Sequence, residues 1–378
     1  MAYLNLNFVG GTFVAGPAKR PREFATRRTP VGAKRPEAVR RQVGEAPPGR
    51  KSRSRILTVM PVATDSLTAE YNAITKACGL FDRSERGKLA LTGTGAAEFL
   101  QGQVTNDVQG LVPGTGCYAA FLTPKGKMLG DLRILDAADE LLLDTERVSL
   151  QELFNMIRRF RVGYDVEVHK RTLELALLSL IGPDAAALAG HADLPEAEHT
   201  HLATQLAGAA VRAIRTDVGV DLLIEDAGAT GDVAAALRDA GAVPVSEAAV
   251  ECLRIERGRP RYGIDLNDTV IPQEAGLNKR AVSFSKGCYV GQETVARLHY
   301  RGKPNRSLRG LALSSPARVG DELTLGERPV GRLGSVAVSP RLGPIAIALV
   351  RREAENGAVV SVGGEAGTSA TVVELPFA

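Results

Sequence analysis

Lys286-Gly287-Cys288-Tyr289-Val290-Gly291-Gln292-Glu293 is the stretch on which the reading of this chain turns, because it sets one cysteine where its thiol can be made reactive. Cys288 follows a lysine and a glycine, and the residues from Gly291 to Leu298 read as the opening of a helix. A neighbouring cation and a following helix N-terminus both favour a thiolate, so an activated Cys288 is expected. Gly287 and Gly291 free the backbone for a tight turn or a close approach. Glu293 and Arg297, four residues apart, are expected to pair on one helix face. A Lys-Gly-Cys tripeptide alone is more often an incidental strand-to-helix turn. Its surroundings are what give it weight.

Upstream lie Arg254-Ile255-Glu256-Arg257-Gly258-Arg259-Pro260-Arg261-Tyr262-Gly263-Ile264-Asp265 and Ile271-Pro272-Gln273-Glu274-Ala275-Gly276-Leu277. Downstream lie Val295-Ala296-Arg297-Leu298 and the loop Tyr300-Arg301-Gly302-Lys303. Together with Lys286–Glu293, these segments closely resemble the YgfZ family of folate-binding proteins. That family is related to the glycine-cleavage T-protein, an aminomethyltransferase, and its mitochondrial cousins support iron–sulfur cluster assembly. The resemblance covers roughly residues 62–378. The eight-residue block is specific to the YgfZ branch, whereas the other motifs are shared across the superfamily. The resemblance implies an α+β fold, with mixed α/β units forming one folate-binding body and a β-barrel at the C-terminus.

Composition narrows the classes. The chain of 378 residues allows two or three domains and a large core. No stretch approaches the run of about 20 apolar residues that a membrane helix needs. The net charge of +4 conceals an asymmetry: residues 1–59 hold 13 Lys and Arg against 3 Glu, a net of +10, leaving −6 on residues 60–378. An acidic body argues against direct nucleic-acid binding. Cys78, Cys117, Cys252 and Cys288 are scattered, with no Cys-x-x-Cys pair or Cys/His cluster, so no metal site is expected within one chain. Such cysteine usage fits a reducing cytoplasm better than a secreted framework.

Along the chain, residues 1–59 are rich in Arg, Pro and Gly without an apolar period, and read as a disordered tail or a translation-start artefact. An Arg-rich, acid-poor leader also resembles an organelle transit peptide. Residues 60–171 are expected to form the first part of the folate-binding body, from a helix at Tyr71–Cys78 through strands at Lys88–Thr92, Tyr118–Leu122, Gly130–Leu135 and Leu141–Asp144. Residues 172–250 read as a compact ferredoxin-like α/β unit, with strands at Glu174–Ile181 and Val220–Ile224 and a helix at Gly231–Ala240. Residues 251–305 return to the folate-binding body. From 306 to 378, short strands alternate with Gly and Pro turns and no helical pattern intervenes, which predicts a small barrel.

The resemblance implies roles for particular residues. Asp107, in Thr105-Asn106-Asp107-Val108, matches the T-protein aspartate near the reactive folate nitrogens; by itself, Asn-Asp is ordinary turn chemistry. Glu256 matches the glutamate that binds the pterin, where a carboxylate accepts two adjacent N–H groups. Its bland alternative is a surface ion pair with Arg254 or Arg257. Tyr262 is expected to stack on the ring or to pack in the core. Lys125 and Arg297 are cations suited to a folate glutamyl tail, or simply solvated. Glu274 is taken as structural. Some YgfZ members use cavity tryptophans, and this chain has none. Arg86 is placed to substitute for one by stacking.

The function implied is that of a cytoplasmic tetrahydrofolate-binding protein assisting assembly or repair of iron–sulfur enzymes, including those that thiolate tRNA. Cys288 would act as nucleophile, redox group or transient cluster ligand, with client enzymes or cluster-assembly proteins as partners. Two alternatives compete: a folate-dependent aminomethyltransferase, and a non-catalytic interaction module with a vestigial folate cavity.

Overall fold

The computed structural model describes residues 64–363 and 367–378, so the reading of residues 1–59 lies outside the described residues. The chain runs through α1 (Thr64–Lys76), β1 (Gly79–Asp82), β2 (Gly87–Thr92), α2 (Ala96–Gln101), β3 (Gly116–Leu122), β4 (Met128–Asp136), β5 (Leu141–Thr145), α3 (Leu150–Phe160) and β6 (Glu167–Lys170). Strands β2 to β6 form a five-stranded antiparallel sheet in the order β3-β4-β5-β2-β6. Side chains alternate across a strand. Leu132, Ile134 and Leu143 therefore share one face, which packs with Phe99 of α2 and Leu153 and Ile157 of α3.

Next come β7 (Ala176–Ile181), α4 (Ala185–Leu188), β8 (His201–Leu206), β9 (Ala209–Thr216), β10 (Gly219–Ile224), α5 (Thr230–Asp239) and β11 (Val243–Pro244). They build a six-stranded sheet, β11-β1-β7-β10-β9-β8. The sequence reading placed residues 60–171 in a single unit. In the structure β1 leaves that segment and pairs with β7 and β11 of the second sheet. Leu80 joins the core beneath α4 and α5, and that burial draws the strand across. The two sheets meet through Ala90, Leu135 and Leu142 against Leu177, Ile214 and Leu223.

The chain then forms α6 (Glu247–Glu256), α7 (Asn278–Ala281) and α8 (Gln292–Arg301). It ends in β12 (Arg306–Leu313), β13 (Glu322–Leu325), β14 (Arg328–Ser339), β15 (Gly343–Arg351), β16 (Val359–Val362) and β17 (Ser369–Val373). These six strands close into a barrel in the order β12-β15-β14-β13-β16-β17, the barrel expected from the run of short strands. The fold is α+β. Helix α6 joins its parts: Ala249, Val250 and Cys252 pack on Tyr71 and Ile74 of α1, while Ile255 packs on Ile345 and Ile347 of β15.

Candidate functional site

The Lys286–Glu293 block is seated by two glycines. Gly291 caps α8 with φ +84°, and a Cβ there would lie 2.6 Å from the Thr123 carbonyl oxygen. Gly126, in the β3–β4 turn, has φ +77°, and its Cβ would lie 2.7 Å from the Thr294 Cβ. Only residues without side chains let the turn and the start of α8 approach this closely. Tyr289 and Val295 then complete a core with Leu122, Met128 and Leu277.

Lys286 makes the main polar link from this block. Its ammonium donates to the carbonyls of Gln101, Val104 (2.8 Å) and Asn106 (2.9 Å), and lies 5.1 Å from the Tyr289 ring centroid. Burial lowers its pKa to about 8. The cation expected to activate Cys288 is thus engaged with the loop that follows α2. Cys288 itself is exposed. Glu293 and Arg297 are both exposed on α8, and no ion pair joins them; each extends into solvent.

That loop carries Asp107. Gln101 Nε2 donates to Asp107 Oδ1 at 2.9 Å, and Gln101 Oε1 accepts from the Val108 amide at 2.7 Å. Asn106 donates to the Tyr118 carbonyl at 2.8 Å, and its own Oδ1 accepts from the Asp107 amide. Thr105 ties the loop down, donating to Ala281 O at 2.6 Å and accepting from the Ala120 amide. The Val290 amide completes the fastening by donating to Gly102 O at 3.2 Å. Asp107 Oδ1 also takes the Gly110 amide, whereas no described residue donates to Oδ2. A carboxylate oxygen is therefore held ready on a rigid loop.

Glu256 stands elsewhere. It is 4% exposed at the α6–barrel junction. Its Oε2 accepts from the Tyr71 hydroxyl at 2.8 Å and from Arg341 at 3.3 Å, and its Oε1 accepts from the Ser339 hydroxyl. The sequence reading put this carboxylate on a pterin, with a surface ion pair to Arg254 or Arg257 as its alternative. No ion pair joins it to Arg254 or Arg257 among the described residues; Arg341 is its cationic partner. Both oxygens are occupied by protein donors because α6 turns this face toward α1 and β14. Glu274 accepts from Arg306 at 3.0 Å and from the Ile271 amide at 3.1 Å, a structural clamp.

The half-buried Arg86 guanidinium is held between Asp144 (2.6 Å) and Glu146. Tyr262 packs partly into the core around Leu266 and donates to Met128 O at 3.3 Å; burial pushes its pKa up to about 12. Lys125 and Arg297 are exposed and form no ion pair among the described residues.

Between the two sheets lies a cluster that motif reading missed. Lys88, Asp144 and Arg133 stand opposite one another across β2, β5 and β4, and Tyr118 stands opposite Arg133 on β3. Arg133 bridges Asp144 (2.8 Å) and Asp221 (2.7 Å), and Ser179 donates to Asp221 at 2.6 Å. Asp131 is buried with no ion pair among the described residues; burial raises its pKa to about 6, opposed by a hydrogen bond from Tyr118. Arg280 lies 4.8 Å over the Tyr118 ring and is paired with Glu198. The Arg83 guanidinium has no ion pair among the described residues, and its Nε is buried without a partner. The signal was present in the sequence as charged residues set singly in apolar strands: Asp131 and Arg133 in β4, Asp144 in β5 and Asp221 in β10.

A reduced folate needs acceptors for its ring N–H groups and an aromatic or apolar face against the ring. Asp107 Oδ2, the Asp131 carboxyl and Tyr118 are groups of that kind, and neither carboxylate forms an ion pair among the described residues, although Lys286 lies near Asp107 and Arg86 near Asp131. Among the described residues, no group of three or more His, Cys, Asp or Glu is arranged to hold a metal ion, and no helix is long and apolar enough to cross a membrane.

Comparison with known proteins agrees with this architecture. Residues 13–286 match the GCVT N-terminal domain, and residues 306–378 match the glycine cleavage T-protein C-terminal barrel domain. An aminomethyltransferase of Rubrobacter xylanophilus is 31% identical, over 84% of this chain and 88% of its own. One from Chlorobaculum parvum is 32% identical, over 84% and 92%. The crystal structure of glycine cleavage system aminomethyltransferase T from Bartonella henselae superposes with a TM-score of 0.74 at 25% identity, covering 82% of this chain and 89% of that one. The chain belongs to the glycine-cleavage T-protein family, whose fold binds tetrahydrofolate.

Proposed function

We propose that this protein binds tetrahydrofolate or a one-carbon derivative and, as a YgfZ-type member of its family, assists assembly or repair of iron–sulfur enzymes in the cytoplasm, those of tRNA thiolation among them. The observation that carries the reading is the joint between Lys286 and the Asp107 loop. One side of that joint holds a carboxylate with an open oxygen, and the other holds an exposed thiol. Asp107 would accept a hydrogen bond from a folate nitrogen, and Asp131 with Tyr118 would meet the ring. The bound folate would supply or accept a one-carbon unit. Cys288 would face solvent, where a client enzyme or assembly protein can reach it.

The test is calorimetric titration with tetrahydrofolate, paired with rescue of iron–sulfur enzyme activity in cells lacking the protein. Saturable binding weakened by Asp107→Asn, and rescue abolished by Cys288→Ala, are the expected outcomes. Rescue undiminished by Cys288→Ala sinks the iron–sulfur role.

Aminomethyl transfer is the second reading, favoured by the names of relatives that match over most of the chain. It predicts turnover that is lost in Asp107→Asn and kept in Cys288→Ala. A non-catalytic module predicts that Asp107→Asn is silent in both assays.

A further inference from the structure

The C-terminal barrel carries a cavity of about 370 Å³ at one of its mouths, lined by Ser307, Arg309, Arg351, Arg352, Glu355 and Asn356 over a floor of Val350 and Ala354. Strand register fixes how its deepest cation points. Arg309 stands opposite Ala348 on β15 and Ser307 opposite Val350. Ala348 and Val350 belong to the buried core of the barrel. Directly opposed residues in an antiparallel pair share a face. Ser307 and Arg309 therefore lie on the inward face, where the strands of a small barrel otherwise place apolar side chains.

A cation on the inner face of a barrel costs solvation unless something answers it. Among the described residues, no carboxylate forms an ion pair with Arg309. The side chains of Arg309, Arg351 and Arg352 make no ion pair and no hydrogen bond among the described residues, unlike Arg133, Arg254 and Arg306, which are each held by a carboxylate. Glu355 is the one acidic residue in the lining, so the pocket keeps an excess of two positive charges. Guanidinium groups present forked donors that match phosphate and carboxylate oxygens. Ser307 and Asn356 add neutral donors, and the volume is that of a small-molecule pocket.

We propose that this barrel mouth binds a small polyanion carrying at least two oxyanion groups, as diphosphate or as neighbouring carboxylates, at a site separate from the Asp107 loop. Arg309 grips one group from inside, and Arg351 with Arg352 closes on the other at the rim. The shared chemistry is oxyanion recognition, and the probe decides its source.

The experiment is calorimetric titration of the full chain with inorganic pyrophosphate and, separately, with citrate. Wild type is expected to bind at least one of them saturably with one site per chain. The exposed rim double variant Arg351→Ser/Arg352→Ser, which does not threaten folding, should weaken binding at least tenfold, and Arg309→Gln should do so independently. Stronger pyrophosphate binding assigns a phosphorylated ligand; stronger citrate binding assigns a polycarboxylate. No saturable binding of either at millimolar concentration overturns the proposal, as does binding that the rim variant leaves intact.

Discussion

Lys286 Nζ lies 2.9 Å from the carbonyl oxygen of Asn106, the residue before Asp107, although the two are 180 positions apart in sequence. This contact makes the cysteine-bearing block and the carboxylate-bearing loop one mechanical unit. Replacing Lys286 by Met keeps most of the stem and removes all three donors to the carbonyls of Gln101, Val104 and Asn106. Leaving such acceptors unmet costs about 1–3 kcal/mol. We expect Lys286→Met to lower thermal stability and to weaken tetrahydrofolate binding severalfold more than Lys125→Met, a change at an exposed lysine. Equal effects of the two substitutions in calorimetry would remove the coupling.

Cysteine reactivity should be sharply uneven. Burial pushes the Cys78 thiol up to about 11 and those of Cys117 and Cys252 to about 12. Cys288 is exposed. Thiol labelling of the native protein should therefore show one fast phase, which Cys288→Ser abolishes without changing the melting temperature. A fast phase that survives the substitution would show another thiol to be the accessible one.

Glu256 should behave as a structural anchor. Glu256→Ala strips partners from the buried Tyr71 hydroxyl, from Ser339 and from Arg341. Loss of a buried charge-assisted network of this size costs about 2–4 kcal/mol. Denaturant unfolding should record that loss, while folate affinity of the folded fraction stays near the wild-type value. A stable variant with lost affinity would return Glu256 to the ligand.

Asp131 should titrate near pH 6, because burial disfavours its charged form and the Tyr118 hydroxyl opposes that effect by hydrogen bonding to the carboxylate. Tyr118→Phe removes the opposing bond, so the Asp131 midpoint should move higher. Carboxyl-carbon NMR across pH 4 to 8 reads the shift, and a midpoint that stays or falls would contradict the assignment.

His201 supplies an acid-sensitive element. Burial lowers its pKa to about 4, with Arg212 nearby adding to the effect. Its Nε2–H donates to Thr115 O at 3.1 Å and its Nδ1 accepts from Arg212 at 3.0 Å, an arrangement for the neutral ring. Between the unfolded value near 6.5 and about pH 4 the unfolded chain binds the extra proton, so His201 costs stability as pH falls through that window. His201→Gln should flatten the decline in melting temperature between pH 6.5 and 4. An unchanged slope would count against it.

How far the sequence could be read depended on how local the physics was. The period-2 runs and Gly/Pro turns after Leu308 sufficed for the barrel, because strand alternation and turn chemistry are written in adjacent residues. The Lys286–Glu293 block and the Asp107 loop were found as motifs for the same reason. The destination of β1 could not be read, because pairing with β7 and β11 is set by which core its Leu80 completes. The protein partners of Glu256 and Arg86 could not be read, because a carboxylate or guanidinium has the same local signature whether it meets a ligand or a partner brought by the fold. Only the tertiary structure brought Tyr71 and Ser339 to Glu256, Asp144 to Arg86, and the Lys286 ammonium to the carbonyls that hold Asp107. Each of these contacts joins residues far apart in the chain, and the energy of desolvating a charge is decided by what surrounds it after folding, which no neighbour in sequence specifies.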